Sequence, residues 1–333
     1  MPQKTNNELR QDPVSGDWVV VATGRAKRFP GVRPRGAGVC PFCVYFADKS
    51  VNKLSNKLAD LGQIVVIPNK FPAFSPVGRG QTPANLGWGL TPSKLFQKMP
   101  AIGWHEVVIT KSHTKSIADF SLDEAMELIS VYQSRYLALS KEKSINYIFI
   151  FHNQGPLAGA SIAHPHSQIV ATGLVDGGFL QPLKAAEKFF QQNKKCLYCS
   201  INQAELKSQE RVVAQNANFV ALCPFASKMS FEVMIAPKKH APYFEKITEE
   251  EKRDLADILR LTLAKIKKGL ANPDYNFYVR TAPCDNKEHN SFHWHLTILP
   301  KTQTWAGFEL GAGMEIITTA PEQAAAFLRK VKV

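Results

Sequence analysis

The residues of this chain whose types are best suited to catalysis lie between positions 151 and 168. This stretch combines histidine, serine, asparagine, glutamine and glycine residues, and it continues the apolar run of residues 147–151. Aromatic and β-branched runs that end in polar residues are typical of β-strands. We therefore predict that a strand delivers a polar site at its end, and that the chemistry of the protein takes place there.

His166 is the candidate nucleophile within this stretch. Residues two apart in an extended segment share a face, so His164 and His166 are expected to point the same way, about 7 Å apart. Pro165 stiffens the segment and predicts a position at a sheet edge. A neutral imidazole, with an ordinary pKa of about 6.5, is nucleophilic near pH 7, and its attack on phosphorus gives a covalent phosphoimidazole.

Neutral hydrogen-bond donors accompany this histidine. Ser161 and Gln168 suit phosphate oxygens, and Gly155 and Gly159 allow backbone N–H groups to approach a phosphate closely. The alternative is that His166 is a core histidine, which is the better interpretation of an isolated histidine. The neighbouring glycine, serine and glutamine residues favour the catalytic interpretation.

Two Cys-x-x-Cys pairs predict metal sites. Two thiolates on one turn and two histidines from neighbouring strands form a tetrahedral Cys₂His₂ set that suits zinc. A redox pair or buried unreactive thiols are the alternatives for a single pair, but the repetition of all four ligand types favours metal. The predicted sets are Cys40, Cys43, His113 and His164, and Cys196, Cys199, His240 and His293.

Four protein ligands close the coordination sphere, so each predicted zinc ion is structural. We expect about two zinc ions per chain on this basis. His164 is then occupied by metal and is not the catalytic base. It holds in place the segment that carries His166.

The chain contains an internal repeat. The interval between the last two ligand histidines is 51 residues in the first set and 53 in the second. Ser121 and Thr248, each followed by Glu three residues later, form capping boxes that begin amphipathic helices in corresponding places. We predict an α+β fold made of a duplicated unit, with antiparallel strands covered by one long helix per unit. The second His-x-His motif, at 293–295, lacks the glycine and serine residues and is predicted to be structural.

Length and composition limit the possible functions. A chain of 333 residues favours two domains, which we place at 1–180 and 181–333. A net charge of +13 favours anionic partners, either phosphorylated small molecules or nucleic acid. No apolar run approaches the roughly 18 residues of a membrane span, so we expect a cytoplasmic protein without a membrane partner. Kinase and dinucleotide-oxidoreductase functions lack their glycine-rich motifs.

The segment 153–168 resembles the active-site signature of the galactose-1-phosphate uridylyltransferase family, within the histidine-triad superfamily. The shared features are the glycines at 155 and 159, Ser161 and the His-Pro-His motif before Gln168. Residues 12–28 are similar to that family's N-terminal segment. The first predicted metal set resembles its zinc site, and residues 313–323 are similar to its C-terminal segment, which contacts sugar.

The resemblance implies a histidine-triad-like unit in each half and a ping-pong exchange of UMP between UDP-glucose and galactose 1-phosphate. His166 would be the covalent carrier, UDP-hexose and hexose 1-phosphate the substrates, and the first domain the site of the reaction. A homodimer is implied, with the second chain near the sugar. The implied phosphate or nucleotide contacts are Arg25, Arg28, Asn69, Asn153, Ser161 and Gln168, and the implied sugar contacts are Glu315 and Gln323.

Two alternatives remain open at the level of sequence. The second metal set resembles the plant-type ADP-glucose phosphorylase branch, which joins phosphate to a nucleoside monophosphate, whereas Pro165 and Glu315 fit the uridylyltransferase better. Lys70 stands where some members carry an acidic residue near the ribose, so the choice between uracil and adenine is open.

A zinc-containing nucleic-acid-binding module would need basic residues interleaved with aromatic residues on one face. The lysines are scattered instead, and we expect no nucleic-acid partner.

Overall fold

The structure, a computed structural model, describes residues 7–28, 40–47, 59–60, 63–76, 95–175 and 177–333. Its strands are β1 (Glu8–Gln11), β2 (Trp18–Val21), β3 (Ala59–Asp60), β4 (Ile64–Pro68), β5 (Lys98–Pro100), β6 (Gly103–Thr110), β7 (Tyr147–Gln154), β8 (His166–Thr172), β9 (Val212–Gln215), β10 (Phe219–Leu222), β11 (Val233–Pro237), β12 (Tyr275–Arg280) and β13 (His295–Pro300). Its α-helices are α1 (Val44–Ala47), α2 (Leu122–Leu139), α3 (Gly177–Asn193), α4 (Leu197–Ser208), α5 (Glu249–Gly269), α6 (Gly307–Ala312) and α7 (Pro321–Lys330).

One antiparallel sheet contains strands from both halves of the chain. Its order is β3-β4-β6-β8-β7-β12-β13-β11-β10-β9, and a separate small sheet has the order β2-β1-β5. From the outer edge inward, the first half contributes β3, β4, β6, β8 and β7, and the second half contributes β9, β10, β11, β13 and β12. In both halves the fifth strand of the sheet in chain order lies between the third and the fourth. The two halves therefore share one topology and meet where β7 pairs with β12. This arrangement confirms the prediction of a duplicated α+β unit.

The long helices α2 and α5 cover one face of the sheet. Each begins with the predicted capping box, in which the Ser121 and Thr248 hydroxyls accept from backbone N–H groups three residues later, both at 3.2 Å. Their apolar side chains form one continuous core with the inner strand residues, and this core includes the buried Trp294. A shared core of this kind makes the two halves stabilise each other.

The candidate nucleophile lies on the opposite face of the sheet. Successive side chains of a strand alternate between faces. Ser167 faces the helices, because its Oγ lies 2.5 Å from the buried hydroxyl of Tyr132 in α2. His166 and Gln168 therefore face away from the long helices, toward the side where the Cys-x-x-Cys segments lie.

The helix predicted between the halves begins earlier than its sequence suggests. The pattern predicts residues 183–192, whereas α3 runs from Gly177 to Asn193 and contains Pro182. Proline has no N–H to donate to the carbonyl four residues earlier, that of Gly178. Arg280 of β12 donates to this oxygen at 3.4 Å instead. A tertiary contact thus compensates the proline and extends the helix.

The prediction that Pro165 marks a sheet edge is wrong. The strand β8 pairs with β6 on one side and β7 on the other. Pro165 directly precedes β8 and stands outside the ladder, so its missing N–H removes no ladder hydrogen bond.

The proposed division at residue 180 stays a prediction. No helix in the described parts of the chain has the length and apolar character needed to cross a membrane.

Candidate active site and metal centres

His166 is the first residue of β8, and its side chain is 7% exposed. Its Nδ1 lies 2.9 Å from the backbone oxygen of His164. A carbonyl oxygen only accepts hydrogen bonds, so Nδ1 carries the proton and the lone pair of the neutral ring belongs to Nε2. The backbone of the metal-ligand segment therefore selects the tautomer that can act as an Nε2 nucleophile.

Phe42 packs against His166 and the first metal set together. Its ring centroid lies 5.0 Å from that of His166 and 5.8 Å from that of His164, and both contacts are edge-to-face. Phe42 stands between Cys40 and Cys43 in the sequence. The metal set thus fixes both the backbone before the candidate nucleophile and the ring that packs on it.

Gln168 lies two residues further along β8, on the same face of the sheet. Its Oε1 is 2.9 Å from Nε2 of His105 in β6. The buried Asn69 also approaches this imidazole, with its Nδ2 3.1 Å from the same nitrogen. Two residues predicted to contact nucleotide or phosphate are therefore gathered around one histidine that the sequence did not single out.

The loop after β7 turns on two glycines. Gly155 and Gly159 have φ angles of +82° and +84°, in the left-handed region that favours glycine. Asp274 Oδ2 accepts a hydrogen bond from the Leu157 backbone N–H at 2.6 Å. This carboxylate lies so close to Gly155 that no side chain fits there. Ser161 follows this loop and is exposed.

Gly155→Ala should destabilise the protein more than Gly159→Ala. Both positions have left-handed φ angles, so each alanine costs about 1–2 kcal/mol of backbone strain. A Cβ at position 155 would also overlap the Asp274 carboxylate, whereas nothing lies within 4 Å of a Cβ at position 159. We expect the free energy of unfolding in denaturant to fall by about 3–4 kcal/mol for Gly155→Ala and by about 1–2 kcal/mol for Gly159→Ala. Equal losses would contradict the role of Asp274.

Asn153 lies at the junction of the two halves. Its Oδ1 accepts a hydrogen bond from Nδ2 of Asn276 in β12 at 2.8 Å. The same Nδ2 donates to the backbone oxygen of Ala158 at 2.8 Å. The second half of the chain therefore supports the loop that leads to the candidate nucleophile.

Arg25 lies in a 3₁₀ helix, Thr23–Arg28. Its Nη1 donates to the backbone oxygen of Phe71 at 3.0 Å, which places it against the loop that carries Asn69. Burial lowers the pKa of this guanidinium below its ordinary value, yet it stays charged at neutral pH. The side chain of Arg28 lies outside the described residues, so its role stays a prediction.

The first predicted metal set converges in the structure. The ligand atoms of Cys40, Cys43, His113 and His164 all lie within 4.8 Å of one another. Nδ1 of His164 lies 3.6 Å and 3.5 Å from the sulfurs of Cys40 and Cys43, and Nδ1 of His113 lies 3.2 Å from that of Cys43. A tetrahedral ion with Zn–S bonds of about 2.3 Å and Zn–N bonds of about 2.0 Å has S···N edges of about 3.5 Å. The donor set and its spacing therefore fit zinc.

The second predicted set, Cys196, Cys199, His240 and His293, converges in the same way. The Sγ atom of Cys199 lies 3.5 Å from Nδ1 of His240 and 3.4 Å from Nδ1 of His293. These distances match the tetrahedral edge as well as those of the first set do. Both halves of the duplicated fold therefore hold a four-ligand group that can bind a metal ion.

Backbone carbonyls fix the orientation of the ligand histidines. The Nε2 atoms of His164 and His293 lie 2.6 Å and 2.9 Å from the backbone oxygens of Thr110 and Pro237. Because each carbonyl accepts from Nε2–H, the lone pair of each neutral ring lies on Nδ1, which faces the sulfurs. Partners of this kind orient metal ligands in proteins.

Burial favours the neutral form of four of these ligands when no metal is bound. Burial and the neighbouring Cys196 raise the pKa of the Cys199 thiol to about 12, and burial lowers the pKa of His293 to about 4. In the first set, burial raises the pKa of Cys43 and lowers that of His164. A divalent cation favours the thiolate, and a neutral imidazole already has the form that binds metal.

His295 occupies in the second half the position that His166 has in the first. Its Nδ1 lies 3.1 Å from the backbone oxygen of His293, so the same tautomer is selected. Its ring packs against Tyr198 with centroids 5.0 Å apart, and burial lowers its pKa to about 4. His295 is about as buried as His166, at 5% against 7% exposure, so its structural role stays a prediction.

Glu315 and Gln323 lie at the far end of the sheet from His166. Glu315 pairs with Lys228, in the connection from β10 to β11, at 3.1 Å, and Gln323 is exposed in the first turn of α7. Four strand steps separate β8 from β11, or about 19 Å at about 4.8 Å per step. The structure does not bring these two predicted sugar contacts to the nucleophile within one chain.

His105 and Asp274 are site residues that the sequence reasoning missed. Asp274 lies 117 residues from the loop that it holds, and no local pattern connects the two. In the sequence His105 is only a polar residue two positions before the apolar run 107–109, and its burial, 6% exposed within β6, comes from the structure. A buried histidine on the face of a predicted nucleophile is a candidate for the site.

Two family models cover most of the chain. The model of the galactose-1-phosphate uridyl transferase N-terminal domain matches residues 39–175, and the model of the C-terminal domain matches residues 182–332. The chain belongs to the galactose-1-phosphate uridyl transferase family. The resemblance to this family noted in the sequence is thereby confirmed, and so is the α+β fold class.

Curated relatives and solved structures span almost the whole chain. An ADP-glucose phosphorylase from Arabidopsis thaliana is 32% identical, with 98% of this chain and 93% of that protein covered. A galactose-1-phosphate uridylyltransferase from Thermotoga maritima is 29% identical, with 98% and 99% covered. The crystal structure of the Arabidopsis thaliana enzyme with ADP-glucose has a TM-score of 0.76 at 32% identity, with coverage of 98% and 99%. A uridylyltransferase structure has a TM-score of 0.80 at 28% identity, with coverage of 97% for both chains.

Proposed function

We propose that this enzyme exchanges UMP between UDP-glucose and galactose 1-phosphate through a covalent intermediate on His166. The observation that carries the proposal is the 2.9 Å contact between Nδ1 of His166 and the backbone oxygen of His164, which leaves the lone pair on Nε2. Membership of the galactose-1-phosphate uridyl transferase family supports the reaction class. Galactose metabolism in the cytoplasm is the corresponding proposed setting.

The first half-reaction forms a bond between Nε2 of His166 and the α-phosphorus of UDP-glucose. The bond from the α-phosphorus to the bridging oxygen breaks, and its electron pair leaves with glucose 1-phosphate. The ring gains positive charge as the N–P bond forms, and the carbonyl of His164 stabilises it through Nδ1–H. In the second half-reaction a phosphate oxygen of galactose 1-phosphate attacks the same phosphorus, and the electron pair returns to Nε2 as UDP-galactose forms.

The remaining proposed contacts neutralise and orient the transferred group. Arg25 and Arg28 supply positive charge for the phosphates, and Ser161 and Gln168 supply neutral donors. Preorganised donors of this kind stabilise the charge on the phosphoryl oxygens in the transition state. Asn69 and Asn153 are proposed nucleotide contacts beside them.

Both Cys₂His₂ groups are proposed to hold Zn²⁺, about two ions per chain. The first ion would fix His164, and with it the carbonyl that orients His166. The second would hold the corresponding segment of the other half. Neither ion has an open coordination position in this arrangement, so their contribution is structural.

An ADP-glucose phosphorylase is the second candidate function. The observation that favours it is the relative from Arabidopsis thaliana named ADP-glucose phosphorylase, at 32% identity over 98% of this chain. The two functions share the first chemical step, because in each an imidazole attacks the α-phosphorus of a nucleotide sugar. They differ in the base and in the acceptor, which is phosphate for the phosphorylase.

A matrix of two donors and two acceptors separates these functions. UDP-glucose and ADP-glucose, each labelled at the α-phosphorus, are mixed in turn with galactose 1-phosphate or with inorganic phosphate. We expect the largest kcat/KM for UDP-glucose with galactose 1-phosphate, which yields labelled UDP-galactose. Faster formation of labelled ADP from ADP-glucose and phosphate would contradict the proposal and establish the alternative.

A homodimer is proposed because Glu315 and Gln323 do not reach His166 within one chain. Mixing His166→Ala chains with Glu315→Ala/Gln323→Ala chains under conditions of subunit exchange should restore activity. Each mixed dimer would hold one intact site, with His166 from one chain and the sugar contacts from the other. Random mixing makes half of the dimers mixed, so we expect about one quarter of wild-type activity per chain. Activity no higher than the sum of the separate variants would contradict shared sites.

A further inference from the structure

His105 is a buried histidine that the proposed chemistry does not yet use. It lies in β6 and is 6% exposed. Its register partner is Val170 of β8, which is two residues beyond Gln168. Cross-strand neighbours and residues two apart share a face, so His105 lies on the same side of the sheet as His166 and Gln168.

The hydrogen bonds of His105 determine which of its nitrogens carries the proton. The Ala73 backbone N–H donates to Nδ1 at 3.0 Å, so Nδ1 is an acceptor. The proton of the neutral ring is therefore on Nε2, which donates to Oε1 of Gln168 at 2.9 Å. Nδ2 of Asn69 lies 3.1 Å from the same nitrogen, but the Phe71 N–H donates to Oδ1 of this amide, so Nδ2 is a second donor and is in contact with Nε2 without a hydrogen bond. The amide oxygen of Gln168 accepts the hydrogen bond from Nε2, which turns the NH₂ group of the Gln168 amide away from His105.

We propose that His105 is a positioning residue that sets the amide of Gln168 so that its NH₂ group donates to the α-phosphoryl group. This inference rests on the proposed function, since it assumes that phosphate lies beside Gln168. An unrestrained glutamine amide presents its oxygen or its nitrogen with similar ease, and the oxygen repels phosphate. Fixing the amide removes the unproductive orientation before substrate binds.

The same imidazole connects Gln168 to the loop of residues 69–73. The backbone oxygen of His105 accepts from the Asn69 N–H at 2.8 Å, and its Nδ1 holds Ala73. Arg25 donates to the Phe71 oxygen within this loop at 3.0 Å. A single residue therefore contacts, through its side chain and its backbone, both Gln168 and the loop against which Arg25 packs.

The second half of the chain offers an internal comparison. His105 stands five residues before Thr110, whose carbonyl orients a metal-ligand histidine, and Glu232 stands five residues before Pro237, which does the same. The counterpart of Gln168, two residues after the second His-x-His histidine, is Thr297. His105 and Gln168 therefore occur together in the half that carries the proposed nucleophile. The second half has Glu232 and Thr297 at the corresponding positions.

A matched pair of variants separates the two contacts of His105. In His105→Asn, the side-chain oxygen can still accept from the Ala73 N–H, but the side chain is too short to reach Gln168. In His105→Gln, the amide NH₂ reaches the position of Nε2 and can donate to Gln168. Metal content and thermal melting establish that each variant is folded.

The readout is the rate of nucleotidylation of the enzyme by UDP-glucose and by the two diastereomers of its α-phosphorothioate. Gln168 would donate to one of the two non-bridging oxygens of the α-phosphoryl group. Sulfur in place of that oxygen weakens this hydrogen bond, so the diastereomer with sulfur there should react more slowly. We expect His105→Asn to lower the rate with UDP-glucose by about 10- to 100-fold and to lose most of the diastereomer preference. His105→Gln should retain both to within about threefold.

The double variant His105→Asn/Gln168→Met decides whether His105 acts through Gln168. We expect it to be no slower than Gln168→Met alone by more than about threefold, because the effects share one route. The inference would be overturned if the rate loss of the double variant equalled the product of the two single-variant losses. It would also be overturned if His105→Asn kept the wild-type preference between the diastereomers. If the wild-type enzyme forms no adduct at all, the proposed function itself fails, and this result is distinguishable from a failure confined to His105.

Discussion

The variant His166→Ala is expected to lose nucleotidyl transfer by at least about 10⁴-fold, because it removes the atom that bonds to phosphorus. Both half-reactions depend on Nε2, so exchange of label between UDP-glucose and glucose 1-phosphate should disappear together with formation of UDP-galactose. Steady-state rates and isotope exchange measure the two losses independently. Retention of isotope exchange in the variant would place the covalent intermediate on another residue.

His295→Ala is the matched control for this prediction. It removes the corresponding histidine of the other half, which has the same backbone contact and packs against Tyr198, as His166 packs against Phe42. We expect kcat within about threefold of wild type, since this ring contacts no proposed substrate group. Loss of packing around the buried ring should still lower the free energy of unfolding by about 2–4 kcal/mol. The pair of variants thus separates loss of chemistry from loss of stability.

The second large effect concerns the metal ligands. Cys43→Ser should release the first metal ion and lower activity by about 100-fold or more, because His164 then no longer fixes the carbonyl that orients His166. Metal analysis should fall from about two zinc ions per chain to about one. Activity that persists after loss of this ion would contradict the link between the first metal site and the nucleophile.

Cys199→Ser provides the comparison in the other half. The second site lies beside His295 and has no contact with His166 among those that the described residues show. We expect loss of one zinc ion and a fall in Tm of about 5–10 °C, with kcat within about threefold of wild type.

Because the pKa of Cys199 without metal is raised to about 12, its thiol must lose a proton on binding metal. Metal affinity should therefore decrease as the pH is lowered.

Local patterns in the sequence predicted much of the fold and both metal groups. The capping boxes at Ser121 and Thr248 predicted α2 and α5, because they depend only on residues three apart. The two Cys-x-x-Cys pairs with their histidines predicted the convergent ligand sets, because the same four types recur in the same order. The repeat then predicted two similar units before any contact between strands was known.

Contacts between distant segments were not predictable in this way. The contact between His105 and Gln168 depends on the register of β6 against β8, which periodicity does not give. The approach of Asp274 to Gly155 depends on where the two halves join. Pro165 was assigned to a sheet edge because proline is usually excluded from central strands, yet it stands one residue before the ladder begins.

The most direct test of the account is to locate the covalent intermediate. The wild-type protein is mixed with UDP-glucose alone, so that the intermediate accumulates without an acceptor, and its peptides are sequenced by mass spectrometry under alkaline conditions that preserve phosphoramidates. We expect a uridylyl group on the peptide that contains residues 164–168, assigned to His166 and removed on addition of galactose 1-phosphate. An unmodified protein, or a uridylyl group on any other residue, would contradict it.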